Sequence, residues 1–259
     1  MKRSSLRQQG RSAGDLIEEA VHLLRTVPPG VLAAYYLGSL PFVLGLLFFW
    51  ADLSRNPLAR QHIVEAALGV SVLFLWMKFW QALFARRLRA HLAGETPPPL
   101  DFSRGLRILI TQAIVQPAGL FLLPLAAIPV LPLAWMYACL QNATALADND
   151  VRQLLGKSLR QSLRWPGQNH LMLLYMTLFA LVVFLNCSIG SLALPWLVKT
   201  LFGIETVFSR SGTAMLNTTF FTAMAGLTYL CVDPILKTLY VLRCFYGDSV
   251  QSGADLRAE

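Results

Sequence analysis

Charge is what this sequence has least of. Only 14% of its 259 residues are Asp, Glu, Lys or Arg, against about a quarter in soluble domains. Hydrophobic residues make up 55%, and the mean hydropathy is +0.52. The shortage excludes an ordinary soluble domain, which can bury a core without uncharged runs of about twenty residues. Cysteine is scarce too. Cys139, Cys187, Cys231 and Cys244 show no CxxC or zinc spacing and lie in or beside apolar runs, so they read as small buried hydrophobes rather than a disulfide framework.

Catalytic signatures are also missing. There is no HExxH, no GxSxG, no P-loop and no paired acidic motif of an intramembrane protease. His22, His62, His91 and His170 are scattered near span ends with no metal spacing. No metal, cofactor or catalytic residue is expected, and no enzyme; a lipid-acting enzyme is the remote alternative. The first 28 residues are polar or amphipathic, and no small-residue cleavage site follows. The first span is therefore expected to act as an uncleaved insertion signal.

The charge that is present is ordered. Sixteen of the 22 Lys and Arg residues fall in every second gap between apolar runs, four in the other gaps and two inside the runs. Basic residues near span ends stay cytoplasmic, so the alternation predicts an even number of spans with both ends inside. The net charge of +8 is spread over span ends rather than one face. Anionic headgroups are therefore the expected partner, with no nucleic acid.

The expected fold is all-α: a polytopic bundle of about six transmembrane helices with two amphipathic interfacial helices. An N-terminal arm (1–30) precedes a membrane domain (31–246) and a cytoplasmic tail (247–259). The spans are placed at 31–50, 63–84, 108–127, 129–147, 171–189 and 214–245. The third and fourth share a 40-residue stretch without charge, which two spans with a tight turn near 128–131, where Pro124, Pro129 and Pro132 cluster, or one long broken helix would both fit. Arg86, Arg87, Arg89, Arg104 and Arg107 mark the second linker, which Pro97, Pro98 and Pro99 keep from continuing as helix. Residues 190–212 are semi-apolar and interrupted by Pro195 and Gly203, suggesting an interfacial or re-entrant piece on the outer side.

Two amphipathic helices are expected. In 12–27, Ile17, Ala20, Val21, Leu24 and Val27 recur at helical spacing, with Asp15 and Glu18 as a capping pair, and the helix is expected to lie flat on the membrane. In 149–164, Val151, Leu154, Leu155, Ser158, Leu159 and Leu163 share a face beside Arg152, Lys157, Arg160 and Arg164. That helix is expected on the cytoplasmic leaflet, with partner docking as the alternative.

The sharpest local signal is CVDPILKTLY. Asp233 and Lys237 are four residues apart on one helix face and are candidates for an ion pair. Each costs about 2.5–3.5 kcal/mol at a helix centre, so both need the bundle interior or the interface. Lys78, the other basic residue inside a span, is a further partner for Asp233. A structural pair and an ion, proton or ligand site both remain open for these three. Glu65 is expected at headgroups or water. Gln112, Gln116, Gln141, Asn142 and Asn186 are expected as polar glue between helices.

The C-terminal KTLYVLRCFYGDSVQSGADL, with Tyr240, Arg243, Gly253, Asp255 and Leu256, resembles the closing segment of the membrane-domain family associated with glycerophosphoryl diester phosphodiesterases. GKSLRQSLRWPGQNHLMLL is similar to that family's basic lead-in to its next span. The resemblance implies a six-span module, often joined to a soluble phosphodiesterase barrel. The acidic and histidine metal ligands of that barrel have no counterpart here, so hydrolysis is not implied. The expectation is a non-catalytic scaffold or accessory subunit in a bacterial-type inner membrane, with a membrane or cytoplasmic protein partner. The alternative is a transporter or permeation protein built on Asp233, Lys237 and Lys78.

Overall fold

Ser12 starts the first helix. Its hydroxyl accepts from the Asp15 N–H at 3.1 Å, and the Asp15 carboxylate accepts from the Ser12 N–H at 3.3 Å. This capping box opens α1 (Ala13–Thr26) and corrects the pairing of Asp15 with Glu18. Ser12 wins because a short hydroxyl just ahead of a helix reaches the third N–H directly. Val27 closes the helix through its N–H to Leu23 O, and the prolines at 28 and 29 prevent continuation.

The computed structural model describes residues 11–96, 99–119, 134–146, 151–211 and 215–252, and the regular elements among them are all helical. After α1 come α2 (Pro29–Arg55), α3 (Ile63–Leu92), α4 (Phe102–Val115), α5 (Ala134–Ala145), α6 (Val151–Ser162), α7 (Pro166–Phe202), the single turn α8 (Val207–Arg210) and α9 (Thr218–Ser252). Among the described residues, α2, α3, α7 and α9 are long and apolar enough to cross a membrane. They contain the expected first, second and fifth spans and nearly all of the last. The turn expected at 128–131 lies outside the described residues, as do Asp148, Asn149 and Asp150.

Several boundaries differ from the sequence reading. Helix α3 runs on through Arg86, Arg87 and Arg89, so much of the basic linker is a helical extension of the span; Gly94, at φ 67°, then supplies the left-handed turn beyond its end. Helix α7 is continuous through Pro195 to Phe202 and stops only at Gly203. The separate interfacial or re-entrant piece is therefore replaced, up to Phe202, by a 37-residue helix, about 55 Å long at ~1.5 Å per residue. Pro41 and Pro234 are likewise inside α2 and α9. Helix α9 also absorbs the start of the expected tail, reaching Ser252.

The buried core sits at one end of the bundle. Leu16 of α1, Tyr35 of α2, Phe84 and Leu88 of α3, Leu154 of α6 and Leu239 of α9 belong to one cluster. Toward the other end, Leu44, Phe48, Val64, Leu68, Leu194 and Leu197 face outward, as lipid-facing positions should. Helix α1 spends its apolar side on protein, with Ala13, Leu16, Ala20 and Leu23 buried against α7 and α9. This corrects the expected apolar face: the buried stripe is rotated from the expected one, and Val21 is left exposed.

Close approach of α2 and α3 depends on small residues. A Cβ on Gly38 would overlap Trp80 Cβ and lie 3.3 Å from Met77 Cα. Where Gly226 of α9 meets α2, a Cβ would lie 2.8 Å from Val43.

Candidate functional site

Three helices converge on Asp233, which is 6% exposed. Tyr35 of α2 donates its hydroxyl to Asp233 Oδ2 at 2.8 Å, and Gln81 of α3 donates its amide to the same oxygen at 3.2 Å. Gln81 Nε2 also reaches Tyr229 Oη at 2.7 Å, one turn before Asp233 on α9. Tyr35 and Gln81 have no measurable exposure. A carboxylate in hydrocarbon requires such donors, and here they come from two other helices.

Lys237, on the next turn of α9, is 3% exposed and donates to Gln141 Oε1 of α5 at 2.5 Å. It makes no ion pair within 4 Å of Asp233, which corrects the expected partnering. Residues four apart are offset by about 40° around a helix, enough for Asp233 to face α2 and α3 while Lys237 faces α5. Lys78 of α3 comes within electrostatic reach of both Asp233 and Lys237 and lies over the Phe74 ring at 5.4 Å. The three nominated residues are thus brought together, without a contact ion pair between Asp233 and either lysine. Two lysines stand against one carboxylate, and Gln81 Oε1 is buried without a hydrogen-bond partner.

A second polar layer lies further along α9. Arg243, 4% exposed, donates to Asn169 Oδ1 at 2.6 Å, to Gln168 Oε1 at 3.2 Å and to the Arg164 carbonyl at 2.9 Å. Tyr240 donates to the same Asn169 oxygen at 2.9 Å, and Asn169 donates to the Ala134 carbonyl at 3.0 Å. Arg243 is thereby an internal fastener between α7 and α9. Beyond it, Asp248 pairs with Arg89 and accepts from Gln161 of α6 at 2.8 Å, while Glu19 of α1 accepts from Tyr246.

Four of the five expected glue residues bond between helices. Gln116 reaches Thr144 Oγ1 at 3.0 Å, Gln112 reaches the Ala143 carbonyl at 3.4 Å, Asn142 reaches the Ser158 carbonyl at 3.3 Å, and Gln141 holds Lys237. Asn186 instead bonds its own helix at Val182 O, on an exposed face. Glu65 is exposed beside His62, with 3.6 Å between Oε2 and Nδ1. Gln81, Tyr229 and Asn169 were not singled out by the sequence, and Tyr35, expected with Tyr36 and Trp50 as an interfacial aromatic, is instead fully buried. Tyr35 reads equally well as an interfacial aromatic, and nothing local distinguishes it from the exposed Tyr36.

Outside the long helices, Glu205 joins Lys199 Nζ at 2.9 Å and Arg210 Nη2 at 3.0 Å. The hydrogen bond from Lys199, then that from Arg210, holds its carboxyl below the usual glutamate range. Asp101, just ahead of α4, is likewise lowered, first by the Ser103 hydroxyl donating to it at 2.7 Å.

No protein-family model, curated protein sequence or solved structure matches this chain. Of the residues that carry the resemblance to the phosphodiesterase-associated membrane domain, Tyr240 and Arg243 are buried fasteners. Gly253, Asp255 and Leu256 lie outside the described residues.

Proposed function

We propose that this protein is a non-catalytic integral membrane module, a scaffold or accessory subunit of a complex in a bacterial-type inner membrane. One observation supports the reading above others: the buried charges find their partners within the chain and on other helices. Asp233 is held from α2 and α3, Lys237 from α5, and Arg243 from α7 and the Arg164 carbonyl ahead of it. Charges met this way fix how helices pack in hydrocarbon, where an unmet polar group costs several kcal/mol. The C-terminal resemblance to a membrane module points the same way.

The proposed topology has six spans, with α2, α3, α7 and α9 joined by a pair of crossings drawn from 108–147. An out-and-back pair returns the chain to its starting side, so both ends stay cytoplasmic. Isolation from native membranes in mild detergent tests the scaffold reading. Co-recovery of a defined protein partner is the expected result; a monodisperse, partner-free particle would overturn it.

A second reading, a transporter or permeation protein, is favoured by the unpaired Gln81 Oε1 beside Asp233 and by the excess of lysine over carboxylate. A polar solute carrying both an anionic group and a hydrogen-bond donor would balance both. Flux in liposomes that disappears in the Asp233→Asn/Lys237→Gln variant supports this reading, and unchanged or absent flux removes it.

A further inference from the structure

Helix α6 carries two apolar stripes where the sequence suggests one. Leu154, Ser158 and Ser162 are fully buried, and Asn142 of α5 bonds the Ser158 carbonyl. Leu155, Leu159 and Leu163 are 44%, 42% and 57% exposed. At about 100° per residue, the buried stripe covers a sector of about 80°, and the leucine stripe fills the adjoining ~80°. The next sector holds Gly156 and Arg160 with Lys157 beyond, both basic residues exposed, and no acidic residue occurs in the helix.

This order of faces around one short helix fits one environment. With the leucines pointing into hydrocarbon, the buried stripe turns sideways onto the bundle. The basic sector then turns to the opposite side, at headgroup depth, where long side chains reach phosphate. Trp165, at the end of the helix in a left-handed turn with φ 48°, belongs to a residue type that favours the same depth. A docked soluble helix would fill the leucine stripe but would not need a basic flank beside it.

We propose that α6 seats its Leu155–Leu159–Leu163 stripe in the bilayer leaflet and recruits anionic lipid through Arg160. The inference rests on the membrane reading of the chain and is independent of whether a protein partner exists. Because Gln161 bonds Asp248 from the same helix, lipid seating also bears on the position of the end of α9.

The test uses the full chain, with its native cysteines replaced and a fluorescent probe at Leu159→Cys, reconstituted into phosphatidylcholine vesicles with or without phosphatidylglycerol. Brominated acyl chains are expected to quench the probe, more strongly when the anionic lipid is present. A probe at Gly156→Cys is expected to be quenched less. Arg160→Gln is expected to weaken the anionic-lipid preference by about fivefold while quenching in pure phosphatidylcholine stays unchanged. Equal quenching with and without phosphatidylglycerol overturns the charge recruitment. Absence of quenching at Leu159, or shielding of that position by a co-purifying protein, overturns the lipid seating. Failure to recover any partner from native membranes would leave these readouts untouched, so the two proposals fail separately.

Discussion

The Tyr35 hydroxyl donates to Asp233 Oδ2 at 2.8 Å across 198 residues of sequence. This bond ties the start of the first long helix to the middle of the last, at a point where both side chains are buried. Removing the hydroxyl in Tyr35→Phe leaves the carboxylate with fewer donors in a site that excludes water. Bonds between membrane helices average about 0.6 kcal/mol, but stranding a buried charged acceptor costs about 1–3 kcal/mol. Tyr35→Phe is expected near the upper figures in reversible unfolding from mixed micelles, and Tyr36→Phe, at an exposed position, near zero.

Two glycines on long helices should respond with opposite signs to the same substitution. Gly38→Ala places a methyl group against Trp80 and the Met77 backbone and is expected to destabilise by about 1–3 kcal/mol. Gly190→Ala meets nothing within 4 Å inside α7 and is expected to stabilise by up to about 1 kcal/mol through helix propensity. Parallel unfolding curves of the two variants check this.

The long helices were legible in the sequence because hydropathy and proline placement act locally. Lys78, Asp233 and Lys237 were legible for the same reason, since each violates the hydropathy of its own segment. Their partners were not. Tyr35 and Tyr36 are neighbours of one chemistry, and only the position of α9 sends Tyr35 into the core and leaves Tyr36 at the surface. Gln81 and Asn169 acquire meaning only once Asp233 and Arg243 face them. Pro195 misled because a proline costs one backbone bond but leaves a helix supported on both sides by apolar turns free to continue.

The Lys199–Glu205–Arg210 cluster gives a pH dependence of defined sign. The carboxyl of Glu205 is lowered by its two basic partners, so its restraint on the loop is complete above the ordinary glutamate value. It is lost as pH falls through the lowered value. Hydrogen-exchange protection across 203–211, taken relative to the intrinsic amide rate at each pH, is expected to fall only in that acidic window, and Glu205→Gln to show the low protection at every pH.

Orientation is checked with exposed cysteines in a background lacking the native four. Phe102→Cys, next to Arg104, is expected to label only from the cytoplasmic side. Val207→Cys, near Arg210, is expected to label only from outside. Both positions are exposed in the fold, so labelling from the same side for the two would overturn the topology.

The role of the buried charges is tested most directly at Lys237 and Gln141, which meet at 2.5 Å. Unfolding free energies are to be measured for Lys237→Met, Gln141→Leu and the double variant. If the charges fasten helices, Gln141→Leu alone strands a buried ammonium and costs about 3–5 kcal/mol. Replacing both partners with apolar groups of similar volume should then recover most of that loss. Single variants as stable as the parent chain would contradict the fastening role.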